Sequence, residues 1–127
     1  MFPEPNIIII ADDDTDDSLF LLQVLLSLPQ ELIVIAVPNG EKLIGVLERV
    51  SPQFIFLDIN MPGVSGFEIL SFISREPRLS KVPVFVVTSD DQPETIQHAI
   101  SGGARAVLIK PASVDVLEAA LKKEKII

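Results

Sequence analysis

Five short apolar runs recur along the chain, and each is followed by a stretch with helical spacing. The first, Ile7-Ile8-Ile9-Ile10-Ala11, is β-branched almost throughout and offers no polar face. A strand with one face in water alternates apolar and polar residues, whereas a continuous apolar run belongs to a strand covered on both faces. The same reading applies to Leu32–Val37, Phe54–Leu57, Val82–Val87 and Ala106–Ile109. Strands in strict alternation with helices imply right-handed βαβ units, and hence a parallel sheet with helices on both faces. A closed barrel of such units needs eight of them and roughly 250 residues. Five units in 127 residues leave an open sheet as the expectation.

Turn and cap residues separate the runs. Asp14 can cap a helix from Thr15 to about Leu28, stopped by Pro29. Pro38-Asn39-Gly40 turns the chain into a helix from Glu41 to Val50, with Leu43, Val46, Leu47 and Val50 on one face. A loop from Asp58 to Ser65 leads into a helix from Phe67 to Glu76, which ends before Pro77. Asp91-x-x-Glu94, with Pro93 in the first turn, has the form of a capping box for a helix that stops near Gly102-Gly103. Ser113 caps a last helix through about Lys123. The expected fold is therefore α/β: a flavodoxin-like doubly wound (βα)5 sandwich whose parallel strands run in the order 2-1-3-4-5. One domain over residues 1–127, without an output domain, is expected.

In open α/β sheets the ligand sits beyond the carboxyl ends of the strands. The residues there are Asp12-Asp13-Asp14 with Asp16 and Asp17 close behind, then Asp58, Thr88-Ser89 and Lys110-Pro111. Crowded carboxylates repel and call for a cation. Hard oxygen ligands, with no cysteine and a single histidine, favour Mg²⁺ or Mn²⁺ over zinc. A carboxylate nucleophile, a divalent metal, a lysine and a threonine suit phosphoryl transfer, which depends on positioning and charge neutralisation. Asp14, Asp16 and Asp17 also read as cap and first-turn acids favoured by the helix dipole. His98 reads as an ordinary helix-surface residue.

Composition excludes several other chemistries. Without cysteine there are no disulfides, thiolate nucleophiles or Cys-based metal centres. A net charge of −8 argues against nucleic acid and against anionic membrane as partners. The start, Met1-Phe2-Pro3-Glu4-Pro5, lacks the basic region of a signal peptide, and the apolar stretch from Leu19 is broken at Pro29. A cytoplasmic location is expected.

The four strand-end blocks together resemble the receiver domain of two-component response regulators. They are Ile7-Ile8-Ile9-Ile10-Ala11-Asp12-Asp13-Asp14, Phe54-Ile55-Phe56-Leu57-Asp58-Ile59-Asn60-Met61-Pro62-Gly63, Val84-Phe85-Val86-Val87-Thr88-Ser89 and Leu108-Ile109-Lys110-Pro111. The resemblance spans Asn6 to Lys123. It implies that Asp58 accepts a phosphoryl group from a histidine kinase or histidine phosphotransfer protein. It implies that Asp12 and Asp13 hold Mg²⁺ (or Mn²⁺) with Asp58, Asp13 directly and Asp12 partly through water, while Asn60 gives a backbone carbonyl. Thr88 and Lys110 would contact the phosphoryl oxygens, Ser89, Met61 and Asp90 would surround them, and the Lys110-Pro111 bond is expected to be cis.

The resemblance further implies signalling to a downstream protein through the fourth helix, fifth strand and fifth helix, or through a homodimer. It makes the chain a signalling phosphoacceptor rather than an enzyme acting on other substrates. Two departures stand out. The position where the family carries a switch aromatic is Val107, and Ala112 replaces the aromatic often found after Lys-Pro. Val107 keeps open a degenerate receiver that acts as a constitutive binding module. An aspartyl-phosphate phosphatase fits less well, since Thr15 stands one place early for its motif.

Overall fold

The computed structural model describes residues 6–125. The Met1–Pro5 segment, read above for a leader, lies outside the described residues. The elements are β1 (Asn6–Ala11), α1 (Thr15–Leu26), β2 (Leu32–Val37), α2 (Gly40–Leu47), β3 (Phe54–Asp58), α3 (Gly66–Arg75), β4 (Val84–Thr88), α4 (Pro93–Ser101), β5 (Ala106–Ile109) and α5 (Val114–Lys123). All five strands are parallel and lie in the order β2-β1-β3-β4-β5. The fold is the doubly wound sandwich that the alternation of elements implies.

The strand period of two sorts the core onto two faces. Ile9, Ala11, Ile55, Leu57, Val84 and Val86 meet Leu43 and Leu47 of α2, Ile69, Leu70 and Ile73 of α3 and Ala99 of α4. On the other face Ile8, Ile10, Phe54, Phe56, Phe85, Val87 and Leu108 meet Leu21, Val24 and Leu25 of α1 and Leu117 and Leu121 of α5. Both faces are thus covered, which is why the runs carry no polar alternation. Every residue of β3 and β4 is buried. Among the described residues no helix is long and apolar enough to cross a membrane.

Element ends differ from the sequence reading in places with local causes. α1 stops at Leu26 rather than Leu28, where the Ser27 hydroxyl donates to the Val24 carbonyl at 2.7 Å. α2 ends at Leu47 rather than Val50, and it begins a residue early because the Asn39 side chain caps it by accepting from the Lys42 N–H. β4 begins at Val84, since Pro83 has no N–H to give the ladder. The capping box at Asp91 does not form. Gln92 is the N-cap residue, makes no side-chain cap bond, and Pro93 takes the first helical turn. Asp90 serves that turn instead, accepting from the Gln92 N–H at 2.9 Å and the Thr95 hydroxyl at 2.7 Å.

Candidate functional site

Parallel strands bring their carboxyl ends to one edge. Asp12 follows β1, Asp58 ends β3, Thr88 ends β4 and Lys110 follows β5. Among the described residues Asp12, Asp58 and Thr88 are the buried polar or charged side chains. Each has a reason to tolerate burial. Asp12 Oδ1 accepts from the Asp14 N–H at 2.9 Å, and Asp58 Oδ1 accepts from the Asn60 N–H at 3.0 Å. Thr88 Oγ1 accepts from the Asp90 N–H at 3.1 Å. Buried polar atoms that keep such partners avoid the desolvation cost of an unmade hydrogen bond.

An oxygen from each of Asp12, Asp13 and Asp58 lies within 4.8 Å of the others. Lys110 reaches into the same cluster, its Nζ 3.0 Å from Asp12 Oδ2 and 3.4 Å from Asp58 Oδ2. The lysine is placed from behind by its own N–H, which donates to the Thr88 carbonyl at 2.8 Å. The Lys110–Pro111 peptide bond is cis. Asp13, Asp14, Asp17, Asp58, Asn60, Ser89, Lys110 and Pro111 line an open cleft over this cluster.

Burial pushes the Asp58 carboxyl up to about 7, and repulsion from Asp12 adds to it, against the opposing pull of the Asn60 N–H and of Lys110. Burial favours the neutral amine of Lys110, but Asp17, Asp12 and Asp58 outweigh it and hold the ammonium above the ordinary lysine range. The carboxylates are therefore short of countercharge. Three clustered carboxylate oxygens are a donor set suited to a hard divalent cation.

A sequence profile of the response regulator receiver domain matches residues 8–122. The chain belongs to this family. A 14.6 kDa protein of Leptolyngbya boryana is 32% identical over 111 residues, covering 87% of this chain and 82% of that protein. A probable cyclic di-GMP phosphodiesterase of Vibrio cholerae is 31% identical over 111 residues, covering 87% of this chain. The receiver chain spans only 24% of that relative's length. The crystal structure of the signal receiver domain of a DNA-binding response regulator from Colwellia psychrerythraea superposes with a TM-score of 0.88 at 25% identity, covering 93% of this chain and 96% of that one.

Two residues expected around the phosphoryl group have side chains engaged with other partners. The Met61 side chain is buried in the core cluster on the α2–α3–α4 face, where its apolar thioether leaves water. The Asp90 carboxylate is engaged on the first turn of α4, whose N–H and hydroxyl also lower its proton affinity. Val107 packs half-buried against the Met61 side of the core. His98 is exposed, as read from the sequence, but its ring stacks on Phe67 with centroids 3.9 Å apart and planes 12° from parallel. Sequence reasoning missed Asp17. Its Oδ2 lies 2.9 Å from Lys110 Nζ, closer than Asp12 or Asp58. Asp14 is the N-cap, so Asp17 sits in the first turn of α1, where it lines the cleft.

Proposed function

We propose that the chain is a phosphoacceptor of a two-component phosphorelay and that Asp58 is the acceptor. The observation that carries this reading is the buried Asp58 carboxylate at a strand end, ringed by Asp12, Asp13 and Lys110. A carboxylate oxygen of Asp58 attacks the phosphorus of a phosphohistidine on a kinase or phosphotransfer protein. The P–N bond breaks, its electron pair returns to the imidazole, and an acyl phosphate forms on Asp58. Lys110 supplies a fixed positive charge to the phosphoryl oxygens. Thr88 supplies a hydroxyl that turns towards the new dianion, and Ser89 leaves room beside it. Asp12, Asp13 and Asp58, with the Asn60 carbonyl, would hold Mg²⁺ or Mn²⁺, which when bound supplies charge neutralisation at the phosphoryl group. Hydrolysis returns the carboxylate and inorganic phosphate, so the mark is transient.

On this reading the chain signals from the cytoplasm to a downstream protein through the face of α4, β5 and α5. It acts on no substrate but its own acyl phosphate. Drawing Thr88 towards the phosphoryl group moves the backbone after β4 and so biases the start of α4. Val107 favours a second reading, a constitutive binding module, because a valine packed against the core offers no large ring to swing.

Intact-mass spectrometry after incubation with acetyl phosphate and Mg²⁺ tests the proposal, with wild type beside Asp58→Asn. The expected result is one phosphoryl adduct in wild type, absent in the variant and lost with EDTA. No adduct on folded wild type would establish the binding module instead. An adduct surviving in Asp58→Asn would move the acceptor elsewhere.

A further inference from the structure

A lysine ammonium has three N–H donors and accepts nothing. Lys110 Nζ has three carboxylate partners, with Asp17 at 2.9 Å, Asp12 at 3.0 Å and Asp58, the acceptor, farthest at 3.4 Å. The ammonium is therefore paired with three carboxylates before any phosphoryl group arrives. Asp17 is itself held in place, its N–H donating to the capping carboxylate of Asp14 at 3.1 Å. The ammonium is drawn towards α1 and away from the acceptor.

We infer that Asp17 is a positioning residue that acts through Lys110 as a brake on phosphoryl transfer to Asp58. This rests on the phosphoacceptor reading. To bridge a phosphoryl oxygen, Lys110 must release one of its partners. Releasing Asp12 would strand a buried carboxylate, whose side chain is 2% exposed. The Asp17 side chain is 41% exposed and can be taken up by water. The Asp17 pair is the one that opens, and until it does, its negative charge cancels part of the field Lys110 presents to the incoming phosphate. Exposed ion pairs are weak, so the brake is modest.

The test measures the maximal rate of adduct formation from acetyl phosphate at saturating Mg²⁺, by intact mass. It compares wild type with Asp17→Asn and Asp16→Asn. Asp16 is exposed on the same turn and its side chain makes no hydrogen bond or ion pair among the described residues, so it controls for net charge. The expected result is about a threefold acceleration in Asp17→Asn, the size of a weak ion pair, with little change in Asp16→Asn. Equal acceleration in both variants would reduce the effect to bulk charge and overturn the inference. An unchanged or slower rate in Asp17→Asn would overturn it too, by making Asp17 irrelevant to Lys110 or a support for it. No adduct on wild type would instead defeat the phosphoacceptor reading, and this inference with it.

Discussion

Asp58 carries a conflict between folding and chemistry. On the phosphoacceptor reading its carboxylate must be ionised to attack, yet its surroundings hold the group at about 7, against an ordinary value of 3.8. The folded chain therefore binds a proton more tightly than the unfolded chain does. The stabilising contribution is complete below about 4 and is lost as pH rises through 7. In EDTA, thermal melts at pH 5 and pH 8 check this against Asp58→Asn, which removes the charge and keeps the shape. The variant is expected to melt above wild type at pH 8 and to lose that advantage at pH 5. Each unit of pKa shift is worth about 1.4 kcal/mol, so the difference should be several degrees. Equal melting temperatures at both pH values would mean that the Asp58 charge costs the fold nothing. At this scale the sequence disclosed Asp12, Asp58, Thr88 and Lys110, because each directly follows or ends an apolar run. It did not disclose the partner of Asp17, because a first-turn acid has a sufficient local explanation in the helix dipole. Only the position of Lys110 across the sheet distinguishes the two roles.

Between β3 and α3 the chain must fold back sharply beneath Asp58. Gly66 permits this: a Cβ there would lie 2.4 Å from the Ile59 Cα and 2.8 Å from the Asp58 carbonyl oxygen. Both are backbone atoms and cannot rotate aside. Gly66→Ala is expected to destabilise the protein by about 1–3 kcal/mol, the usual cost of overpacking, and to slow labelling of Asp58 by displacing its loop. Gly45→Ala is the matched contrast, since a Cβ there meets nothing within 4 Å. In the helix interior of α2 it should stabilise by about 0.5–1 kcal/mol and leave labelling unchanged. Chemical denaturation and the mass assay read both variants. If Gly66→Ala matched wild type in both, the loop would be freer than its close contacts imply. The elements themselves were legible where burial alone decides them, as in β1, β3 and β4. The start of α4 was not. Its first turn is served by Asp90, an acid that precedes the helix, so the Asp91-x-x-Glu94 spacing named the wrong residues.

The cleft is a property of the whole molecule, since Asp12 and Lys110 are almost a chain length apart and meet only because parallel strands end on one edge. The two core faces, set by alternate residues of the same strands, fix that edge. Asp12 and Asp13 are neighbours in sequence, but only the fold brings Asp58 and Lys110 to them, so an unfolded chain offers no comparable site. A cation that binds the assembled cluster therefore binds only the native state, and mass action must raise stability as its concentration rises. At a hundredfold excess over Kd the gain is about 2.7 kcal/mol. On the phosphoacceptor reading, Mg²⁺ is expected to raise the melting temperature of wild type steadily, and EDTA to reverse the rise. Asp13 is exposed and makes no ion pair among the described residues, so Asp13→Asn leaves the metal-free fold nearly unchanged. It removes one of the three clustered donors, and the same rise in melting temperature should then need at least tenfold more Mg²⁺, about 1.4 kcal/mol of lost binding. Coincident titrations for wild type and Asp13→Asn would place the cation outside this cluster. A melting temperature indifferent to Mg²⁺ would leave the raised proton affinity of Asp58 as the cluster's own answer to its crowded charge.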